Sequence, residues 1–149
     1  MGAAAGAAAS GQLVTARGAG RVAWVSREDC ARAAAAALVD GFSGARVLDI
    51  TGPEAISDAS LAALIAQLSG RPVQHVAVPA EALVEGLVQQ AGLPRPLAEL
   101  LAAFDVAAER GLLASASPHL GALTGQAGAP VAAVLRAAAL TQGWAAPSV

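Results

Sequence analysis

The chain has 149 residues, a net charge of −2 at pH 7 and a hydrophobic content of 56%, much of it alanine. This length suits one domain, which buries roughly 68–70% of its extended-chain surface on folding. Evenly spread charges exclude nucleic-acid binding by charge, and the apolar run 33–39 is far shorter than the roughly 18 residues of a membrane span.

The amino-terminal half predicts a strand, a helix and a second strand. Residues 1–10 are alanine- and glycine-rich without the basic start of a secretory signal, so we expect a disordered tail. Arg21–Val25 favours a strand, and Ser26 is a typical N-cap for a helix that runs to about Asp40. Arg46–Thr51 is rich in β-formers and predicts the second strand.

The carboxyl-terminal half is mostly helical by its apolar spacing. Ser57 caps a helix that ends at Gly70, and Val73–Val78 predicts a third strand. Two helices follow, with apolar stripes at Leu83, Val84, Leu87, Val88 and Ala91, and at Leu97, Leu100, Leu101, Phe104 and Ala108. Residues 115–128 are typical of a loop, and a last helix is expected to begin near Pro130.

These elements predict a helix-rich α/β fold. Three short strands among helices make a poor independent parallel sheet, because such a sheet needs neighbours at both edges. We therefore expect sheet neighbours from outside these residues. The predicted organisation is a disordered tail at 1–10, a domain at 11–141 and a tail at 142–149.

The absent residue types exclude several chemistries. All nine basic residues are arginine, and the chain has no tyrosine, so it has neither a P-loop lysine, a Schiff-base lysine nor a Tyr-x-x-x-Lys dyad. His75 and His119 are far apart and lie in no metal-ligand pattern, so we predict no metal. We expect His75 to be structural and His119 to be solvated.

Three features have both a functional and a structural interpretation. Gly18–Ala23 matches the loose Gly-x-Gly-x-x-Ala dinucleotide fingerprint, but it leads into a strand, which favours a plain glycine turn. Cys30, in the first turn of a helix, is either a reactive thiol or, as we favour, a small buried residue. Trp24 and Phe104 are packing anchors or a surface for a flat ligand.

Acidic side chains four residues apart on helices could also suggest paired carboxylates for acid–base catalysis. The residues concerned are Glu81, Glu85, Glu99, Asp105 and Glu109. Such spacing usually marks a solvated helix face, and that is the interpretation we favour.

The order of four segments resembles a known family. Gly20–Ala35, Arg46–Glu54, Gly70–Val73 and Ala91–Pro94 follow one another as in the second half of the type 2 NAD(P)H:quinone oxidoreductases, in the NmrA-like branch of atypical short-chain dehydrogenases. The resemblance extends from about Gly11 to Ala138. It covers most of this chain but under half of such a protein.

The resemblance implies partial Rossmann-type sheet strands plus the small helical substrate lobe. It places Leu93, Pro94, Leu97, Leu101 and Phe104 in a substrate cleft, and it puts the glycine-rich fingerprint in the first half of the family's fold. We therefore expect NAD(P)H to be the cofactor of full-length relatives and no cofactor to bind this chain alone. No catalytic residue is assigned.

Two functions follow as hypotheses. The first is a truncated, cytoplasmic NAD(P)H-dependent quinone oxidoreductase, inactive by itself, that acts on a quinone-like small molecule and needs no nucleic acid or membrane. The alternative is a non-enzymatic NmrA-like interaction or regulatory module that meets a partner, or a second copy of itself, through an exposed sheet edge.

Overall fold

The structure is a computed structural model that describes residues 2–145. Within this range the helix-rich α/β class is confirmed: seven helices surround four short strands. In chain order the elements are α1 Gly2–Ser10, β1 Gln12–Thr15, β2 Arg21–Val22, α2 Arg27–Val39, β3 Ile56–Ser57, α3 Asp58–Ser69, β4 Gln74–Ala77, α4 Ala80–Gln89, α5 Arg95–Glu109, α6 His119–Thr124 and α7 Val131–Gln142.

The strands form two separate pairs. β1 and β4 are parallel, with Gln12 opposite Gln74 and Thr15 opposite Ala77. β2 and β3 are antiparallel and only two residues long each. The sequence predicted β2 and β4 but missed β1 and the two-residue β3, although the Leu-Val-Thr run of β1 is typical of a strand. Each strand thus has a single neighbour within residues 2–145.

Two segments differ from their predicted structure. Arg46–Thr51 is not a strand, because the described part of the chain places no strand beside it to complete a ladder. Residues 115–128, expected to be a loop, contain the short helix α6, whose Leu120 is buried. Burial of one large apolar side chain stabilises a turn of helix that the surrounding glycines and serines disfavour.

The main core lies where α1, α3 and α7 meet β1. Ile65 at its centre is fully buried, and Leu13, Leu61 and Leu135 pack around it. Residues 2–10, expected to be a disordered tail, instead form α1, which buries Ala4, Ala7 and Ala8 in this core. These alanines share one helix face, and their small side chains let α1 pack closely on its neighbours.

The carboxyl terminus also differs from the predicted tail at 142–149. α7 continues to Gln142 and ends at Gly143, which adopts the left-handed conformation of a helix C-cap. Trp144 is half-buried and packs against the main core. The rest of the predicted tail, residues 146–149, lies outside the described residues.

The helix caps follow the sequence. Ser26 accepts a hydrogen bond from the Asp29 backbone N–H, and Ser57 does the same for Ser60. Gly70 ends α3 in the left-handed conformation, as predicted. None of the helices in residues 2–145 is long and apolar enough to cross a membrane.

Asp29 joins the start of α2 to the chain that leads into α7. One carboxylate oxygen pairs with Arg32, and the other accepts a hydrogen bond from the Ala129 backbone N–H at 2.9 Å. Burial raises the pKa of this carboxyl, but the hydrogen bonds of Ala129, Ser26 and Arg32 and the charge of Arg32 outweigh it, so the pKa lies below its usual value. The folded state therefore favours the ionised form of Asp29.

We predict that Asp29→Asn lowers the free energy of unfolding at pH 7 by about 1–3 kcal/mol, the usual cost of losing a charge-assisted hydrogen bond. Because the folded pKa is depressed, this contribution is complete above the unfolded pKa of about 3.9 and disappears as the pH falls through the folded value. Urea unfolding measured from pH 7 to pH 2.5 should show that the free energies of unfolding of the original protein and of Asp29→Asn converge in acid. A constant difference over this range, or the same behaviour in the exposed-residue control Glu54→Gln, would contradict the assignment.

Candidate functional site

Helix α5 presents two different apolar faces. Its small face, with Ala98 and Ala102, is buried against α4 and against Ala16, the residue after β1, in a second core cluster. Its large face carries Leu97, Leu100, Leu101 and Phe104, spaced as i, i+3, i+4 and i+7, and all four are exposed. Phe104 keeps 56% of its surface accessible. Four large apolar side chains that share one solvent-exposed helix face indicate a binding surface rather than a core face.

The five residues predicted for the cleft lie on α5 and the turn before it. Leu93 is half-buried, and its backbone N–H bonds to the Leu87 carbonyl at 3.1 Å. Pro94 is exposed and precedes the first residue of α5. Leu97, Leu101 and Phe104 follow along the exposed large face. The set thus traces one side of a 15-residue helix, about 22 Å long at 1.5 Å per residue.

A buried polar cluster links α5 to the residues that follow β1. Asp105, the residue after Phe104, accepts a hydrogen bond from the Ala16 backbone N–H at 2.8 Å, and its other oxygen lies 3.7 Å from the Arg17 Nε. Arg17 Nε also donates to Asp58 Oδ2 at 2.8 Å. Asp58 is the first residue of α3, so Arg17 connects α3 with α5.

The same cluster continues across the parallel strand pair. The Thr15 hydroxyl donates to Asp58 Oδ2 at 2.6 Å, and its oxygen lies 2.8 Å from His75 Nε2. A hydroxyl has one proton, so the remaining partner of Thr15 must donate, which places a proton on His75 Nε2. His75 thus belongs to this network, and its structural role remains a prediction.

Trp24 lies over the arginine of this cluster. The Arg17 guanidinium carbon is 5.2 Å from the centre of the indole ring, within range of a cation–π contact. Trp24 as a whole residue is 38% exposed. Trp24 and Phe104 are thus both exposed, and neither is the buried packing anchor that one interpretation expected.

A glycine fixes the backbone beneath this tryptophan. Gly52 donates its N–H to the Ala23 carbonyl at 3.1 Å. A Cβ at position 52 would lie 1.8 Å from the Trp24 carbonyl oxygen, so only glycine fits there.

Three sequence interpretations need correction. Cys30 is exposed, not a small buried residue, because its position in the first turn of α2 faces away from the core. Asp105 is not part of a solvated acidic face, since it is half-buried in the Arg17 cluster. His119 is not simply solvated, because its Nδ1 accepts a hydrogen bond from the Asp49 backbone N–H at 3.0 Å.

The other helical carboxylates do face solvent. Glu81, Glu99 and Glu109 are exposed, and Glu85 forms a 2.6 Å ion pair with Arg95. Among residues 2–145, no group of three or more His, Cys, Asp or Glu side chains could hold a metal ion. The absence of a bound metal remains a prediction.

The Gly18–Ala23 motif forms a turn between strands. Residues 16–20 connect β1 to β2, and no helix follows them directly. Gly18 has a φ of +52°, and a Cβ at Gly20 would lie 2.4 Å from the Ala108 carbonyl oxygen, so the turn packs tightly on the end of α5. A dinucleotide fingerprint must instead lead into a helix amino terminus.

Two shallow depressions lie away from this face. One, of about 440 Å³, is lined mainly by residues 117–128, and the other, of about 380 Å³, lies between Ala23, Ile50 and Leu113. None of the five predicted cleft residues lines either depression.

The sequence missed the polar cluster because its members are spread over ninety positions. Thr15, Arg17, Asp58, His75 and Asp105 are unremarkable one by one. The available signal was the position of Thr15 and Arg17 at the end of a β-branched run, where parallel strands commonly present functional or structural polar groups.

Comparisons with known proteins identify the relatives of this chain. No family model matches it. The uncharacterized oxidoreductase YesF of Bacillus subtilis is 34% identical over 101 residues, which is 68% of this chain and 35% of that protein. Quinone oxidoreductase 2 of Escherichia coli is 33% identical over 115 residues, which is 77% of this chain and 40% of that protein.

Solved structures of oxidoreductases are similar to this chain as well. The crystal structure of the E. coli NADPH-dependent quinone oxidoreductase superposes with a TM-score of 0.87 at 29% identity, over 92% of this chain and 50% of that chain. The Citrobacter sp. triphenylmethane reductase complexed with NADP(H) has a TM-score of 0.82 at 30% identity, over 90% of this chain and 46% of that one. The chain thus spans about half the length of these structures, and its predicted resemblance is confirmed.

We predict that Arg17→Met lowers the free energy of unfolding by about 3–5 kcal/mol, because it leaves the buried carboxylate of Asp58 without its cation. Urea denaturation at pH 7 measures this loss. The matched control is Arg95→Gln, which removes an exposed ion pair and should leave the urea midpoint nearly unchanged. Equal effects of the two substitutions would show that the cluster does not hold α5 in place.

Proposed function

Because this chain is related to one half of the NmrA-like NAD(P)H:quinone oxidoreductases, we propose that it supplies the substrate-side half of such an enzyme. The observation that carries the proposal is the large apolar face of α5, which nothing in residues 2–145 covers. Such a face suits one wall of a cleft for a flat, mostly apolar acceptor such as a quinone. The opposite wall comes from residues outside this chain.

The proposed wall consists of Leu93, Pro94, Leu97, Leu101 and Phe104. Leucine and phenylalanine side chains contact a planar ring without competing for its carbonyl groups, and they exclude water from the reacting atoms. The Arg17–Asp105 contact lies directly behind this wall and fixes the helix that carries it. Trp24 lies over Arg17 of the same cluster and is itself exposed.

Bound NAD(P)H would supply a hydride to the acceptor, which gains a proton to become a hydroquinone. The part of this chain in that reaction is to bind and orient the acceptor. The face itself carries no ionisable side chain, so the proton comes from solvent or from a group outside the face.

The dinucleotide contacts, we propose, come from outside this chain. Anionic phosphates bind at helix amino termini that lack negative side chains. Here α2 begins with Glu28 and Asp29, α3 with Asp58, and α4 has Glu81 in its first turn. Their carboxylates would repel a pyrophosphate. The later helices α5, α6 and α7 have no acidic residue in their first turn, but each follows another helix rather than the strand that a dinucleotide site requires.

We predict that the isolated chain shows no saturable binding of NADPH at micromolar concentrations. Quenching of the tryptophan fluorescence during an NADPH titration measures this, with the full-length E. coli quinone oxidoreductase as the positive control. A dissociation constant in the micromolar range for the isolated chain would overturn the proposed division of roles.

We also predict that the chain completes an active enzyme when the half of the E. coli quinone oxidoreductase that it does not cover is fused to it. The fusion should reduce a simple naphthoquinone with NADPH. Phe104→Ser should lower kcat/KM about tenfold, mainly through KM, because a tenfold loss corresponds to about 1.4 kcal/mol of lost apolar contact. Leu140→Ser, which changes an exposed apolar residue on α7, is the matched control and should have no effect. Equal values of kcat/KM for Phe104→Ser and Leu140→Ser would contradict the assignment of α5 to the substrate site.

The second candidate is a non-enzymatic interaction module. It is favoured by the paired strands β1 and β4, each of which has only one neighbour in the described chain and so presents an unpaired edge. Light scattering over a concentration series discriminates between the two: concentration-dependent assembly of the isolated chain supports the module, and a strictly monomeric species argues against edge pairing.

A further inference from the structure

The guanidinium of Arg17 uses only one of its three nitrogens inside the fold. Its Nε donates to Asp58 Oδ2 at 2.8 Å and lies 3.7 Å from Asp105 Oδ1. Within residues 2–145, neither terminal nitrogen, Nη1 or Nη2, donates a hydrogen bond to the protein. Since a guanidinium has five N–H groups and Nε carries one of them, the other four are left without a protein acceptor.

The terminal nitrogens of Arg17 are reached from outside although the side chain is nine-tenths buried. The side chain keeps 10% of its surface exposed. In the described part of the chain, fully enclosed side-chain nitrogens without a partner occur at Arg32 and Trp144, not at Arg17. Nη1 and Nη2 therefore keep a small accessible area, which an oxygen atom the size of water can touch.

The indole of Trp24 lies against the same guanidinium. The centre of its ring is 5.2 Å from the guanidinium carbon, and the residue is 38% exposed. The backbone on both sides of the ring is fixed, because Ala23 donates its N–H to the Leu113 carbonyl at 2.8 Å and Gly52 packs on the Trp24 carbonyl. An exposed aromatic ring beside free N–H donors suits a planar ligand that stacks on the ring and accepts a hydrogen bond.

The apolar face of α5 and this guanidinium meet at Asp105. Leu101 and Asp105 are four residues apart, so they lie on the same side of the helix. One helical turn, about 5.4 Å, separates them along the axis. A two-ring aromatic molecule that contacts Leu101 can therefore extend as far as the terminal nitrogens of Arg17.

The charges around the guanidinium favour a neutral ligand. Two carboxylates, Asp58 and Asp105, face this one cation, and the Glu109 carboxylate lies beside the neighbouring turn at Gly18. Arg21, the next cation along the chain, directs its own guanidinium to a backbone carbonyl. An anionic ligand would meet this excess of negative charge, whereas a carbonyl oxygen accepts hydrogen bonds without adding a charge.

A second arginine–aromatic pair differs from this one in the two properties that matter. The Arg46 guanidinium lies 4.2 Å from the centre of the Phe42 ring, but its Nη2 is paired with Asp40. The Arg46 side chain is also 30% exposed, so water competes for its remaining donors. Donors that water reaches poorly, as at Arg17, gain more from a ligand's oxygen.

We propose that Nη1 and Nη2 of Arg17, together with the indole of Trp24, form the polar end of the acceptor site and bind the carbonyl oxygen of a neutral, planar aromatic molecule. This inference rests on the proposed function for its choice of ligand class. It names two residues outside the α5 face, and it sets the specificity: a ketone or quinone binds better than the same ring without the oxygen or with an anion in its place.

NMR titrations of the isolated, nitrogen-15-labelled chain test this site without any turnover. The probes are the aromatic ketone indanone, indane, which lacks the oxygen, and indane carboxylate, which has an anion instead. None of them reacts with the exposed thiol of Cys30, as a quinone would.

Indanone should shift the Nε–H signal of Arg17 and the indole N–H signal of Trp24 in a saturable way. Indane should bind about fivefold more weakly, the usual loss for one hydrogen bond, and the carboxylate should not shift the Arg17 signal. Indane that binds as well as indanone would overturn the proposal, and so would a carboxylate that binds more tightly.

Trp24→Leu and Phe42→Leu make the test specific, since each removes an exposed aromatic ring that lies over an arginine. Trp24→Leu should weaken the binding of indanone, read at the Arg17 signal, by about fivefold, which is within the range of a stacking contact. Phe42→Leu should leave the binding unchanged, and equal effects of the two would contradict the site. Urea unfolding checks that both variants are folded, and the probe series on the original chain needs no variant.

The site and the proposed function fail in different ways. A chain that binds indanone at Arg17, in a fusion with the E. coli half that does not reduce a quinone, would keep the site and refute the function. A fusion that reduces a quinone equally well with and without Trp24→Leu, and an isolated chain whose Arg17 signal does not respond to indanone, would keep the function and refute the site.

Discussion

The structure depends on the neutralisation of one buried cation, the guanidinium of Arg17, by carboxylates. Arg17 lies two residues after strand β1 and is almost fully enclosed, so its charge would be costly without partners. Asp58 at the start of α3 and Asp105 on α5 supply them, and Thr15 links the same oxygen of Asp58 to His75 on β4. One guanidinium therefore ties α3 and α5 to the chain that follows β1.

The positions of alanine determine which helix faces are buried and which are exposed. α1 and α5 both turn alanine faces to the interior, where small side chains allow close backbone approach. On α5 this choice leaves the leucine and phenylalanine face exposed, the reverse of an ordinary amphipathic helix. The larger apolar residues are thereby available for a ligand or a partner.

The exposed face of α5 has a role in the proposed enzyme. Asp105, next to Phe104, ties the helix to the Arg17 cluster, and the large apolar side chains of the face suit a flat acceptor. A chain that matches half of the relatives' length with a TM-score of 0.87 keeps the fold of that half while leaving this face exposed.

The sequence by itself determined the local elements, because caps and apolar spacing act over a few residues: Ser26, Ser57 and Gly70 bound helices where predicted. It also supported the family, through the order of short segments. Tertiary structure alone decided the rest. Whether residues 2–10 form a helix depends on a core they reach only after folding, and whether Arg46–Thr51 forms a strand depends on a neighbour. The Arg17 cluster joins residues ninety positions apart, which no local pattern can specify, because a buried charge finds its partners only once the chain has packed.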